Sequence, residues 1–151
     1  MAHEPELLAD PVALDLLQSR LPAHLSYTWT DGTPRTVPIW FHWNGSEIVF
    51  ATPANAPKCR ALRDGDSVAV SIDSDEFPYR VLLVRGTANV TTVEGVVEEY
   101  VLAAERYFGP VQGQAWVSQL PAGMRTVRIA VRPEHVTILD FETRFPSALS
   151  G

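Results

Sequence analysis

From its N-terminus the chain first shows a helical period and then abandons it. Leu14, Leu17 and Leu21 recur on one helix face, Asp10 stands where an N-cap belongs, Pro11 suits the first turn, and Pro22 closes the run, so the pattern predicts a helix over 10–21. The strand-forming run 24–30 follows, then the turn Asp31-Gly32-Thr33-Pro34, then a second strand over 35–43. Asn44-Gly45 is a strong hairpin signal. It returns the chain through Ser46 to Thr52, with Ile48, Phe50 and Thr52 on one side. Three strands joined by two tight turns predict an antiparallel meander.

Asn55 to Arg63 reads as a short helix, with Asn55 as N-cap and Pro57 in its first turn. Strands are predicted over 67–73 and 79–91, and the apolar stretch Arg80 to Val84 suits a central position buried on both faces. Thr91 and Glu94 carry the spacing of a capping box ahead of the stripe Val96, Val97, Tyr100, Val101, Ala104 and Phe108, which Gly109-Pro110 ends. Residues 110–123 follow neither period. Two last strands, 125–132 and 135–141, flank a turn at Pro133-Glu134. About seven strands and three helices make a mainly β (α+β) chain. Their local hairpins favour a closed or split antiparallel barrel with peripheral helices.

Composition narrows the function classes. With 151 residues and 46% apolar content the chain has the material for one domain, core about 22–140, with a tail over 142–151. Twelve basic and eighteen acidic residues give a net charge of −6, which argues against a nucleic-acid partner or a membrane-surface partner. The acidic start has no apolar signal core, and the longest aliphatic run, Val81 to Val84, is far too short to span a bilayer. The expected setting is cytoplasmic. Eleven of the twelve basic residues are arginine. GC-rich codon usage accounts for them but not for the single lysine, Lys58.

No G-x-S-x-G, H-E-x-x-H, Gly-rich phosphate loop or cysteine pair is present. His3, His24, His42 and His135 have no ligand spacing, so no metal site is expected. Cys59 could be a nucleophile beside Lys58, against the plainer role of a small packing residue. Asp73, Asp75 and Glu76 suit a solvated turn better than a carboxylate pair, and Trp29, Trp40 and Trp43 suit core or interface better than a stacking platform. The window from Arg35 to Arg63 holds the chemistry. Thr52 offers a hydroxyl, a helix start offers free N–H groups, Lys58 offers a compact cation and Arg35 a second, which together suit a phosphate. The competing reading is an ordinary solvated lysine.

The order Asp31-Gly32-Thr33-Pro34, Val37-Pro38-Ile39-Trp40-Phe41, Ile48-Val49-Phe50-Ala51-Thr52, Lys58, Ala61-Leu62-Arg63, Val84-Arg85-Gly86-Thr87-Ala88 and Val131-Arg132-Pro133-Glu134-His135-Val136 resembles a known family across residues 22–140. It is similar to the flavin- and deazaflavin-binding split β-barrels, the pyridoxamine-phosphate-oxidase-like proteins, some of which use FMN and some F420. The resemblance implies an antiparallel split β-barrel of six to seven strands with two to three peripheral helices. It implies a homodimer with the cofactor at its interface and hydride transfer to or from a small organic substrate. Lys58 and Thr52 would hold the cofactor phosphate, helped by Arg35. The ring would lie along Arg35, Thr36, Val37, Pro38 and Ile39, with Ala51 beside it, and FMN is expected ahead of F420. The acidic tail of F420 would call on Arg60, Arg63 or Arg85. The chain departs from the family pattern at Ala56 and Pro57, where many members carry Arg or Ser, and at Ala61, where many carry Asn; Pro57 also removes a backbone donor. Two alternatives stand beside the oxidoreductase: a non-catalytic FMN- or F420-binding module, and a haem-binding relative or structural dimer, the haem held by His24, His42 or His135.

Overall fold

The computed structural model describes residues 5–143; His3 and the tail from 144 onward lie outside the described residues. A single turn of 3-10 helix, Pro5–Ala9, precedes α1 (Pro11–Leu17). Asp10 caps α1, its Oδ1 accepting from the Val12 N–H at 2.9 Å, as the sequence predicts. The helix stops four residues earlier than expected. Ser19 takes over the backbone there, its Oγ donating to the Leu16 carbonyl at 2.7 Å and accepting from the Leu21 N–H at 3.2 Å. Ala13, Leu16 and Leu17 therefore form the buried face, while Leu14 and Leu21 are only half-buried.

The strands are β1 (Ala23–Thr28), β2 (Pro34–Ile39), β3 (His42–Trp43), β4 (Ile48–Pro53), β5 (Ser67–Asp73), β6 (Arg80–Glu94) and β7 (Arg125–Asp140), with α2 (Glu98–Phe108) and α3 (Pro110–Ser118) between the last two. They form one antiparallel sheet in the order β2-β1-β5-β6-β7-β4-β3. Alternation sets the inner face of β1, where Ala23, Leu25 and Tyr27 point inward. β4 is buried on both faces from Ile48 to Thr52. Phe41, Phe50, Leu25, Ile72, Leu82 and Ile129 are wholly excluded from solvent, each side chain stabilising the fold by about 1.5–3 kcal/mol through burial.

The predicted meander is corrected here. Its middle strand, 35–43, is two strands that serve opposite edges of the sheet. β2 pairs with β1, placing Arg35 opposite Tyr27, whereas β3 pairs with β4, placing His42 opposite Val49. Only Trp40 and Phe41 separate them. Phe41 is fully buried and its carbonyl accepts from Arg106 Nη2, which pins the corner. No ladder joins β2 to β3 or β4 among the described residues, so the sheet is split rather than closed at this line. Pro34 and Pro38 lie in β2, and proline is tolerated in a strand that lacks a second neighbour.

Three further expectations change. The last two predicted strands are one, β7, which runs through Pro133 and Glu134 with a bulge opposite Arg85 and Gly86. Glu134 is the extra residue, because Arg85 faces His135 and Gly86 already faces Pro133. A Cβ on Gly86 would sit 1.9 Å from the Arg132 carbonyl oxygen, so only glycine fits there. The capping box is absent. Thr91 and Glu94 belong to β6 and pair with Arg128 and Arg125, because the β-branched run 90–93 continues the ladder. The chain then turns at Gly95, and α2 starts with Val97 as N-cap and Glu98 and Glu99 in its first turn. Residues 110–118, left without a period, form α3, docked closely on α2 through Gly113, where a Cβ would meet the Ala104 backbone at 2.7 Å. No helix among the described residues is long and apolar enough to cross a membrane.

Candidate functional site

The end of β4 carries the chemistry. Thr52 alternates with Phe50 and Ile48 on the inner face and is itself buried, opposite Val127 of β7. After Pro53 the chain turns, with the Ala56 N–H donating to the Pro53 carbonyl at 3.0 Å. It then makes one turn of 3-10 helix, Pro57–Arg60, which folds Lys58 back over the strand end. Lys58 Nζ donates to Thr52 Oγ1 at 3.2 Å. Ala61 and Leu62 anchor this turn in the core, and both of their N–H groups donate to the Lys58 carbonyl, at 3.2 and 3.0 Å.

The electrostatics of Lys58 are unusual for a lysine. Burial pushes its pKa below the ordinary value, and the main opposing influence is the neighbouring Cys59 rather than a carboxylate. Among the described residues this half-buried ammonium has no acidic partner, and an anion would complete the arrangement. The predicted helix over 55–63 is corrected to this single turn. Ala56, not Asn55, occupies the cap position with no side-chain bond, and Pro57 has no N–H to give. The expected cluster of helix-start N–H donors is therefore not built, and cation plus hydroxyl carry the site. Cys59 is half-buried, its Sγ 3.6 Å from the Pro53 carbonyl, and burial pushes its thiol up, which suits packing rather than nucleophilic work.

The remaining candidates lie on β2. Arg35 is exposed, stacks 5.4 Å over the Trp29 ring, and donates to Thr33 Oγ1 and the Pro34 carbonyl. Thr33 in turn donates from its backbone and hydroxyl to Asp31, and these bonds hold the Asp31 carboxyl below its ordinary pKa. Among the described residues no bond joins Arg35 to Thr52 or Lys58. Thr36 Oγ1 lies 3.0 Å from Ser26 Oγ on the outer face, Pro38 is exposed, and Val37 and Ile39 pack partly on the core. Thr52, Lys58 and their neighbour Ala51 thus form one group, and β2 another, on the two sides of the split. The β3–β4 register sets His42 against Val49; carried onward, it would set Thr52 against Ile39, where the ladder instead parts. Among the described residues β2 pairs on one edge, with β1, and its other edge carries no strand.

Other residues singled out from sequence are engaged elsewhere. Trp40 stacks on Tyr107 at 4.9 Å and 11°, with Phe108 edge-on at 4.9 Å. Trp43 packs partly on the core. His24 Nδ1 lies 3.8 Å from the Asp73 carboxylate, and His135 is exposed opposite Arg85. His42 has its Nδ1 buried with no hydrogen-bond partner, and burial lowers its pKa. Asp75 and Glu76 are exposed in the β5–β6 turn. No group of three His, Cys, Asp or Glu among the described residues could hold a metal. Sequence reading missed the clamp over this region: Arg128 of β7 grips Glu99 of α2 with two bonds, 2.7 and 3.1 Å, and so fixes α2 against β4 and β7. Glu and Arg separated by 29 positions left no local signal.

With this geometry in place, the chain can be set beside known proteins. The family model for pyridoxamine 5'-phosphate oxidase matches residues 10–140. A solved structure of an F420 reductase aligns at 29% identity and TM-score 0.63, over 82% of this chain and 94% of that one. A conserved hypothetical protein from Mycobacterium tuberculosis aligns at 20% identity and TM-score 0.68, over 93% and 91% of the two chains. A FAD- and haem-binding protein from Mycobacterium smegmatis aligns at 21% identity and TM-score 0.61, over 94% and 78%. No curated protein sequence matches.

Proposed function

Because the chain belongs to the pyridoxamine 5'-phosphate oxidase family, we propose that it is an oxidoreductase holding a flavin-type cofactor, FMN or as close alternative F420, with its phosphate at Lys58 and Thr52. One observation carries the reading: a half-buried ammonium 3.2 Å from a buried hydroxyl, with burial opposing its charge and no acid among the described residues balancing it. The donor set fits a phosphate. Lys58 supplies a point charge, and the Thr52 hydroxyl, which accepts from Lys58, keeps its own proton to donate. The 29% identity to an F420 reductase supports the deazaflavin alternative, and the FAD- and haem-binding neighbour supports a flavin-type ligand more generally.

When bound, the cofactor supplies hydride transfer to or from a small organic substrate. The protein's part is binding and orientation. The open edge of β2, from Arg35 through Thr36, Val37, Pro38 and Ile39, offers backbone donors and acceptors to a ring with an imide edge, Pro38 contributing a carbonyl only. Val37 and Ile39, and Ala51 of β4, would be the apolar groups nearest such a ring. Arg35, tied to its own turn, would act at the far end of the strand. No side chain beside the split stands out as acid or base, so the proton comes from water or substrate. A homodimer would cover the open edge and complete the site with partner residues.

The visible spectrum of the purified protein, followed by mass spectrometry of the released ligand, tests this directly. A flavin or deazaflavin band with a matching mass supports the reading, and a colourless protein that takes up neither cofactor ends it. A bound cofactor without turnover would leave a binding module. The Nδ1 of His42, without a hydrogen-bond partner among the described residues, and the haem-binding neighbour favour a haem reading, and a Soret band in the same spectrum would replace the flavin reading.

A further inference from the structure

Across β4 from the Thr52–Lys58 pair, under the α2–α3 hairpin, lies a pocket of about 150 Å³. Ala51, Val96, Tyr100, Trp116, Leu120 and Met124 form its walls, and Thr52, Pro53 and Thr126 close its floor. Its polar atoms are already engaged. Thr126 Oγ1 donates to the Gly95 carbonyl at 2.7 Å, Trp116 Nε1 donates to the Tyr100 hydroxyl at 2.9 Å, and Thr52 Oγ1 accepts from Lys58 on the other face. We propose that this pocket is a binding site for a small uncharged apolar ring. Three properties select that class. A volume of this size accommodates a benzene-sized ring, and its lining is almost wholly apolar. A charged or strongly polar ligand would lose its hydration against walls that are almost wholly apolar. Met124, the part-exposed Trp116 and the half-buried Tyr100 give the pocket adaptable and aromatic walls. The pocket shares Ala51 and Thr52 with the proposed cofactor site, but its other walls come from α2, α3 and the segments beside them, and none lies on β2 or carries Lys58.

Toluene, titrated into the full-length protein labelled with 13C at Val, Leu and Met methyls, tests the proposal. Saturable shifts are expected at Val96, Leu120 and Met124 and at the Trp116 indole N–H, and benzoate, the same ring bearing a charge, should leave them unmoved. Leu120→Trp should fill the pocket and weaken toluene binding at least about tenfold; Met124→Trp provides the same test if the first variant does not fold. Shifts that fail to saturate in the wild type, an equal response to benzoate, or undiminished binding in a folded filled variant would overturn the assignment.

Discussion

Replacing Lys58 by methionine separates a ligand-binding lysine from an ordinary surface one, because the two roles move two observables in opposite directions. In the folded protein burial disfavours the charge of Lys58, and no carboxylate among the described residues compensates. Its pKa is lowered, so the unfolded chain binds this proton more tightly than the native one. The sign follows from linkage: the cost is fully present below the folded pKa, and is relieved as pH rises through that pKa toward the ordinary value of 10.5. Methionine keeps most of the apolar stem and removes the charge, so the apoprotein should unfold at the same temperature or higher. The anionic ligand should suffer instead. A hydrogen bond to a charged group contributes about 1.5–3 kcal/mol, which is roughly a tenfold to hundredfold loss in affinity at about 1.4 kcal/mol per decade. The assay is a paired measurement on reconstituted protein: melting temperature without cofactor, and dissociation constant for FMN and for F420 by fluorescence titration. Unchanged affinity for both cofactors, or a lower melting temperature in the apo variant, would refute the reasoning.

Other consequences bear on the scaffold. Gly86→Ala drives a Cβ to within 1.9 Å of the Arg132 carbonyl; it should destabilise the protein by about 1–3 kcal/mol or more, measurable by urea denaturation. Glu99→Gln removes the charged half of a two-bond clamp on Arg128 and should cost about 1.5–3 kcal/mol. Hydrogen bonding to Arg128 holds the Glu99 carboxyl below its ordinary value of 4.5. The wild type should therefore keep this contribution above pH 4.5 and lose it as pH falls through the folded pKa, whereas the variant should show a flatter acid limb. Asp10→Ala removes the cap of α1 and should lower stability by about 1 kcal/mol, seen as a shifted thermal midpoint.

Seven strands are predicted and seven are present, but the agreement hides two opposite errors. One predicted strand, 35–43, is two, and two predicted strands, 125–132 and 135–141, are one. Both errors have the same physical origin. Period, caps and turn residues act over a few positions, and they correctly place Asp10, the turn at Asp31–Thr33 and the hairpin at Asn44-Gly45. Which neighbour a strand pairs with is decided by distant residues. Pro133-Glu134 resembles a turn, yet β6 runs alongside and absorbs Glu134 as a bulge. Trp40 and Phe41 look like the middle of a strand, yet the burial of Phe41 and the stacking of Trp40 on Tyr107 hold them at a corner. The capping box fails for the same reason, since Thr91 and Glu94 already have partners in β7.

The site divides along the same line. Lys58 and Thr52 are six residues apart, and a strand end followed by one tight turn is enough to bring them together; composition had already marked the lysine as the only one in the chain. The expected helix-start donors fail because Pro57 begins a single turn of 3-10 helix, too short to align its N–H groups. Arg35 fails to join Lys58 within the chain because its guanidinium has closer partners in Trp29 and Thr33. What remains is a cation and a hydroxyl on one side of a split and an unpaired strand edge on the other. A phosphate needs only the first, and a flat ring with donors and acceptors along one edge needs only the second. A ligand that carries both is the kind of molecule the proposed function puts at the split, and its binding would offset ladder bonds that the sheet lacks between β2 and β3.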